Sequence, residues 1–309
     1  MAKKILITGA GGFVGGFIVE AAINRGYETW AAVRATTSLE YLTDPRINII
    51  ELDFSNKDTL REQLSLFIAE NGKWDYIIHN LGATKCNNFR DFNRINCDYL
   101  KTFANLLIEV GGVPEKFLLM SSLSVMGQGD DDNYTPFKTT DLTHPNTQYG
   151  VSKLMGEQAI KYLPDFPYVI FRATGVYGPH EKDYFLMMKS IDQGFDFSVG
   201  FKKQMLTFIY VKDLACAMID ALEAPDAIKK TWSKELLLFT ASKIHDEVIL
   251  DYIGSAHTVV NSDDRFIWSF CFVQGETDRD ALKERCETLI SFGKRYMSLN
   301  PVVIISDLF

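Results

Sequence analysis

Cysteine is scarce in this 309-residue chain, and no two cysteines stand in a Cys-x-x-Cys pair. An odd number of cysteines without such spacing indicates neither a disulfide framework nor a structural zinc site. The sequence also lacks an apolar run of membrane-spanning length, and Gly9 follows the first strand too early for a secretory leader. We therefore expect a cytoplasmic protein with no membrane partner. The five cysteines are Cys86, Cys97, Cys216, Cys271 and Cys286.

Basic residues are in the minority, because 32 lysines and arginines face 40 acidic residues and leave a net charge of −8. This balance argues against nucleic acid as a partner. The chain is 47% hydrophobic and 13% aromatic, which is typical of a globular protein and excludes disorder, collagen and coiled coil. Its length predicts one large domain or two small ones.

Short β-rich runs alternate with helical patterns through the first half of the chain. This alternation predicts an α/β fold with a Rossmann-type doubly wound parallel sheet, whose ligands bind at the carboxyl ends of the strands. After residue 178 the pattern weakens, apart from a helix at 211–222, an apolar stretch at 266–273 and a helical pattern near 277–293. The predicted strands are 4–8, 28–33, 47–52, 75–78, 116–120 and 168–171, and the predicted helices are 13–25, 57–70, 89–110 and 149–162.

Three glycines, Gly9, Gly12 and Gly15, follow the first strand and open the first helix. Glycine suits a tight turn, a close approach to a pyrophosphate and close packing of helix on strand. The free amides at the start of the helix attract phosphate. The segment therefore predicts a dinucleotide site, with a plain strand-to-helix turn as the alternative.

Tyr149 and Lys153 stand four residues apart on a predicted helix, so their side chains share one face. A neighbouring ammonium favours phenolate and should lower the tyrosine pKa from about 10. Such a phenol can exchange a proton with a carbinol or carbonyl oxygen while a hydride moves to or from a nicotinamide. Ser122, at the end of the fifth strand, is the candidate that orients this oxygen, and Ser124 is the alternative.

Arg34 ends the second strand, and three hydroxyl residues at 36–38 precede the next acid, Glu40. An acid at the strand end would bind the adenosine 2′-hydroxyl, whereas arginine accommodates a 2′-phosphate. We therefore expect NADP in preference to NAD, unless Arg34 stacks on adenine, which fits either cofactor. His79 is expected to support the cofactor loop as a core histidine, and no histidine has metal-ligand spacing.

These motifs together resemble the extended branch of the short-chain dehydrogenase/reductase superfamily, the NAD(P)-dependent epimerase/dehydratase family. The resemblance runs from residue 3 to about 225, over 8–15, Asp53, 79–82, Asn96, 121–127, 149–153, 172–179 and 208–213. It implies that Ser122, Tyr149 and Lys153 are catalytic. It also implies that the cofactor is held by Gly9, Gly12, Phe13, Val14, Gly15, Arg34, Asp53, Phe54, Leu81, Gly82, Asn96, Tyr149 and Lys153. The chain departs from the family at Met126, where tyrosine is usual, and after about residue 230.

The resemblance further implies a dinucleotide-binding domain of residues 1–171 with 205–225, and a smaller substrate lobe of 172–204 with 226–309. It implies hydride transfer at a carbinol or ketone carbon of a nucleotide-linked sugar, in a homodimer formed through helices 89–110 and 149–162. Dehydratases of the family carry an Asp-Glu pair after the strand-end hydroxyl, where this chain has Leu123 and Ser124, so epimerase and reductase are favoured. The alternatives are an NADPH-dependent reductase of a non-sugar ketone, similar to steroid or flavonoid reductases, and a non-catalytic NADP-binding sensor.

Overall fold

The computed structural model describes residues 2–129, 137, 141–192 and 207–224, together with three short strands in the tail. The helix expected near 277–293 lies outside the described residues. The chain divides into two compact units. The first contains Met1–Gln128, Lys138–Ala173 and Met218–Leu236, and the second contains Gly129–Phe137, Thr174–Ala217 and Leu237–Phe309.

The first unit is built on one parallel sheet of six strands, in the order β3-β2-β1-β4-β5-β6. The predicted Rossmann-type sheet is therefore confirmed. The strand order reverses between β1 and β4, and in such sheets the loops that follow these two strands form the ligand-binding crevice. The strands are β1 (Lys4–Thr8), β2 (Glu28–Val33), β3 (Asn48–Glu51), β4 (Tyr76–His79), β5 (Lys116–Ser122) and β6 (Tyr168–Ala173).

Helices cover the sheet, and most begin where the apolar spacing predicts. The helix expected at 89–110 runs without a break from Phe89 to Glu109, but it contains a π-helical turn at Arg94–Asp98 that the periodicity did not predict. This turn carries the buried Asn96, whose amide bonds the main chain of Ala83, a tertiary contact that helical periodicity does not encode. The helices are α1 (Phe13–Asn24), α2 (Lys57–Asn71), α3 (Phe89–Asn93), α4 (Tyr99–Glu109) and α5 (Gln148–Lys161).

The core of this unit lies between the central strands and the helices. Every residue of β4 and β5 is buried, as expected of parallel strands covered on both faces. Aromatic rings fill one layer, where Trp74 stacks on Phe67 and Phe103 packs near Phe54 and Phe117. This packing holds the strand ends, and the loops that follow them, in fixed positions.

The second unit contains two three-residue strands, β7 (Gly175–Tyr177) and β8 (Phe208–Tyr210), which pair in parallel. These strands and the helix α6 (Asp183–Asp192) were not predicted, because such short strands show no period in the sequence. Helix α7 (Val211–Glu223) matches the prediction. The tail contains β9 (Ala256–Val260), β10 (Phe266–Phe270) and β11 (Val302–Ile305), in the order β11-β10-β9. In the part of the chain that the structure describes, no helix is long and apolar enough to cross a bilayer.

Candidate active site

The glycine loop joins β1 to α1 at the point where the strand order reverses. Gly9 has a φ of +66°, and a Cβ there would lie 2.9 Å from the main-chain nitrogen of Leu81. A Cβ at Gly15 would collide with the Gly9 carbonyl oxygen, so helix and loop are in direct contact. Gly12 caps α1 without a side-chain acceptor, and the first turn, which starts with Phe13 and Val14, holds no acid. The first amides of α1 are therefore available to an anion.

Arg34 lies in an exposed turn beside this loop. Its N–H donates to Thr37 Oγ1 at 3.0 Å, and Thr37 N–H donates back to the Arg34 carbonyl at 2.8 Å. A Cβ at Gly11 would collide with the methyl group of Thr37, so the turn packs on the glycine loop. No ion pair joins the Arg34 guanidinium to a carboxylate within residues 2–129, 141–192 and 207–224.

Asp53 and Phe54 follow β3 and have different surroundings. The Asp53 carboxylate accepts from the hydroxyl and the N–H of Ser55, and these bonds hold its pKa below the usual range. Phe54 is buried, and its ring packs edge-on against His79 and Phe103. The Asp53 carboxylate is partly exposed, whereas the Phe54 side chain belongs to the core.

His79 ends β4 beneath the glycine loop and is 1% exposed. Its Nδ1 lies 3.1 Å from the Thr8 hydroxyl, which also accepts from the Leu81 N–H at 3.2 Å. Burial, and then the charge of Lys153, lowers the pKa of His79 to about 3. The ring stacks on Phe103, and its Nε2 has no partner among the described residues. A neutral histidine buried in this way is a core residue beside the loop, as the sequence indicated.

Asn96 fastens the loop that follows β4 to helix α5. Its Oδ1 accepts from Ala83 N–H at 2.8 Å, and its Nδ2 donates to Ala83 O at 3.0 Å and to Ser152 Oγ at 2.9 Å. A Cβ at Gly82 would lie 3.0 Å from both Asn96 Oδ1 and Lys153 Nζ. The structure therefore brings Leu81, Gly82, Asn96 and Lys153 together in one place.

Ser122 and Tyr149 meet at the carboxyl end of β5. The Ser122 side chain lies close enough to the Tyr149 phenol to influence its pKa, and Ser122 Oγ lies 3.1 Å from Ser124 Oγ. Tyr149 is partly exposed, and its ring centre lies 6.0 Å from that of Phe92. Burial raises the pKa of Tyr149, while the neighbouring Ser122 hydroxyl opposes the rise. The expectation that Lys153 lowers this pKa is therefore wrong for the chain by itself.

The position of the Lys153 side chain explains why it does not lower the pKa of Tyr149. The side chain is 7% exposed, and its Nζ donates to the main-chain oxygen of Met120 at 2.8 Å, toward β5. Burial lowers the pKa of Lys153 to about 8, while the charge of Glu157 opposes this. Helical spacing puts Tyr149 and Lys153 on one face, but the bond to Met120 draws the ammonium toward the sheet.

Sequence reasoning missed a buried acid, Glu157, which is 0% exposed and ion-paired to Arg172. It also missed Ser121 and Ser152, which bond Glu157 and Asn96 respectively. The available signal was the spacing of Tyr149, Lys153 and Glu157 at intervals of four, which puts a charged residue on the face of α5 that meets the sheet.

The described residues contain no group of three or more His, Cys, Asp or Glu side chains that could hold a metal ion. Within residues 2–129, Cys86 and Cys97 form no disulfide. Cys271 and Cys286 lie outside the described residues.

Comparison with known proteins adds the evidence that decides the family. The model of the NAD dependent epimerase/dehydratase family matches residues 5–233. The chain belongs to this family. That membership confirms the resemblance carried by the glycine loop and the Tyr149–Lys153 pair, and it identifies the chain as an enzyme of the extended short-chain group.

Individual members of the family are distant from this chain. It is 26% identical over 231 residues to a putative UDP-glucose 4-epimerase of Methanocaldococcus jannaschii, covering 71% of this chain and 73% of that protein. It is 28% identical to a dTDP-4-dehydrorhamnose reductase of Mycolicibacterium smegmatis, covering 72% and 61%. The structure of UDP-glucuronic acid 4-epimerase from Bacillus cereus in complex with NAD superposes with a TM-score of 0.61 at 24% identity, covering 74% and 75%. That likeness shows a shared fold.

Proposed function

We propose that this chain catalyses hydride transfer at a carbinol or ketone carbon of a nucleotide-linked sugar, as an NAD(P)-dependent epimerase or reductase. The observation that carries the proposal is the position of Ser122, at the end of β5, next to Tyr149 of α5, with Lys153 one helical turn further on. The M. jannaschii and M. smegmatis relatives are named for nucleotide-linked sugars, which supports this substrate class. The proposal assigns the cofactor to residues 1–171 with 205–225 and the substrate to 172–204 with 226–309.

The loops at the strand ends fit a dinucleotide. The Gly9–Gly15 segment leaves no room for a Cβ at either of its end glycines, and α1 begins without an acidic residue or a side-chain cap. Backbone amides of this segment would hold the pyrophosphate, Asp53 the adenine end, and Lys153 with Asn96 the nicotinamide end. When bound, the nicotinamide accepts or supplies the hydride.

The protein's own groups handle the proton and the substrate oxygen. Ser122 donates or accepts a hydrogen bond at that oxygen and orients it, while Tyr149 exchanges a proton with it. Because the pKa of Tyr149 is raised, its phenol carries a proton at neutral pH and acts as a general acid toward a carbonyl. Alcohol oxidation needs the phenolate, so Tyr149 must first lose that proton.

Arg34 supports NADP over NAD within this proposal. It lies in the exposed turn that packs on the glycine loop, with the hydroxyls of Thr37 and Ser38 on the same turn. A guanidinium can form a bidentate contact with a 2′-phosphate, which NAD lacks.

The turn after β5 favours an epimerase or reductase over a dehydratase. Leu123 and Ser124 stand where a dehydratase needs an acid and a base, and Ser124 N–H donates to Ser122 Oγ at 3.2 Å. Ser124 therefore supports the orientation of Ser122 and supplies no carboxylate for the elimination of water.

A homodimer through α4 and α5 is part of the proposal. Large apolar side chains are exposed on or next to these helices, with Ile108 44%, Met155 37% and Tyr162 83% exposed. Light scattering at high concentration should give twice the chain mass, and a monomer would refute this element alone.

A screen of nucleotide sugars and simple ketones with both cofactors tests the function. An epimerase interconverts two sugars without net change of cofactor, whereas a reductase consumes NADPH in proportion to product. Turnover of steroid or flavonoid ketones alone would favour the non-sugar alternative. Cofactor binding without turnover on any substrate would refute the enzyme proposal and favour an NADP-binding sensor.

A further inference from the structure

Glu157 is a buried acid of α5 whose carboxylate accepts more hydrogen bonds than any other buried charged group on that helix. Its Oε1 accepts from Arg172 Nε at 2.8 Å and from the Ser121 hydroxyl at 2.6 Å. Its Oε2 accepts from Arg172 Nη2 at 2.7 Å and from Lys161 Nζ at 3.2 Å. Burial alone would raise the pKa of Glu157, but these partners hold it below the usual range, so the group is charged. A carboxylate buried with such partners fixes the elements that supply them.

The partners of Glu157 flank the candidate catalytic residues. Ser121 directly precedes Ser122 on β5, and it stands opposite Arg172 of β6 in the sheet. Arg172 Nη1 also donates to the sulfur of Met126 at 3.1 Å, in the turn that follows Ser122. One carboxylate on α5 is therefore tied to both sides of Ser122.

The same carboxylate stands one helical turn from Lys153 and two turns from Tyr149. Its charge raises the pKa of Lys153 against the effect of burial, which lowers it to about 8. Among the described residues, the other groups around Lys153 are uncharged at neutral pH: His79 is neutral, Asn96 is an amide, and Tyr149 keeps its proton. On the far side of Glu157, Arg172 and Lys161 are cations, so loss of the carboxylate would expose Lys153 to their repulsion.

We propose that Glu157 is a positioning residue for the Ser122–Tyr149–Lys153 set, holding Ser122 in place through Ser121 and Arg172 while its carboxylate stands one helical turn from Lys153. Glu157 itself touches no reacting atom. This inference rests on the proposed function for its effect on turnover, but its effect on Lys153 can be measured without any reaction.

Glu157→Gln is the informative change, because glutamine has the same shape but no charge, and its NH₂ group replaces one of the two oxygens that accept from Ser121, Arg172 and Lys161. Glu109→Gln is the matched control, since Glu109 is an exposed acid on α4 that pairs with Arg61. NMR titration of lysine labelled with ¹³C at Cε, with Lys153→Met for assignment, measures the pKa of Lys153. We expect a fall of about one unit or more in Glu157→Gln and no change in Glu109→Gln.

Steady-state kinetics supplies the second readout. In Glu157→Gln we expect kcat to fall about tenfold or more, with KM and cofactor Kd within about threefold, because small misplacements of reacting groups affect chemistry more than binding. The alkaline limb of the kcat profile should move to lower pH with the pKa of Lys153. A folded variant with the wild-type Lys153 pKa and wild-type kcat would overturn the inference.

Failure of the proposed function and failure of the inference about Glu157 give different results in these experiments. If the wild-type protein turns over no substrate, the proposed function fails, and the Lys153 titration still decides whether Glu157 keeps that lysine charged. If Glu157→Gln does not fold, Ser121→Ala decides, because it removes one donor and leaves the ion pair. It should lower kcat about threefold or more with unchanged KM, and wild-type kcat would refute the coupling through Ser121.

Discussion

Arg34→Ala should weaken NADP(H) binding and leave NAD(H) binding unchanged. The guanidinium is exposed in a turn held by two hydrogen bonds with Thr37, and both of these use the main chain of Arg34. Truncation of the side chain therefore leaves the turn intact. A 2′-phosphate would lose its cationic partner, while a 2′-hydroxyl would lose none.

The magnitude follows from the exposure of the site. A charge-assisted hydrogen bond contributes roughly 1.5–3 kcal/mol, and solvent screening at this exposed position favours the lower end. At about 1.4 kcal/mol per decade, the NADP(H) affinity should fall roughly ten- to thirtyfold. Raising the salt concentration should reduce wild-type NADP(H) affinity more than NAD(H) affinity, because the additional contact is ionic.

Calorimetric titration of both cofactors into wild type and variant is the assay. Arg34→Lys is the control, since it keeps the charge and loses the planar fork, and it should give an intermediate NADP(H) affinity. Equal wild-type affinities for the two cofactors, or an equal loss for both in Arg34→Ala, would refute the reasoning and indicate that Arg34 stacks on adenine.

Three further predictions concern the framework of the site. Asn96→Ala leaves the N–H and carbonyl of Ala83 without their partner, so it should lower the free energy of unfolding by about 1–3 kcal/mol in urea denaturation. An unchanged urea midpoint would contradict the role of Asn96 in fastening the loop that follows β4. Gly15→Ala forces a Cβ against the Gly9 carbonyl, so calorimetry should show a lower Tm and weaker binding of either cofactor; wild-type values for both would contradict close packing there. His79 has a folded pKa of about 3 and an unfolded value near 6.5, so its stabilising effect is lost as pH falls below 6.5. His79→Gln should therefore flatten the dependence of unfolding free energy on pH between 6 and 4 by up to about 1.4 kcal/mol per unit, and an unchanged slope would show that His79 titrates normally.

The sheet could be predicted from the sequence because its central strands β1, β4 and β5 are largely buried and read as apolar runs, and the flanking strands also carry short apolar runs. Thus 4–8 and 28–33 match β1 and β2 residue for residue. The π turn at Arg94–Asp98 could not be predicted, because its cause is the contact of Asn96 with a loop that is distant along the chain. The strands β7 and β8 are too short to show a period.

Some features of the candidate site could likewise be predicted from the sequence, and others could not. Glycine loop, strand-end serine and the Tyr149–Lys153 spacing are local patterns, so sequence alone could identify them. The pKa of Tyr149 depends on burial and on the direction of the Lys153 side chain, which points to Met120 of β5. Glu157 was missed because its partners come from two other strands and its own helix, and no local motif marks a buried ion pair.

The most direct test of the account is Tyr149→Phe, measured for turnover and for cofactor binding in parallel. Phenylalanine keeps the ring that packs near Phe92 but removes the hydroxyl that lies next to Ser122 and, in our proposal, exchanges the proton. We expect kcat to fall by about 10²–10⁴-fold, the usual contribution of a general acid or base, while cofactor Kd stays within about threefold. Retention of wild-type turnover on the substrate found in the screen would contradict the assignment of Tyr149 as the proton-exchanging residue.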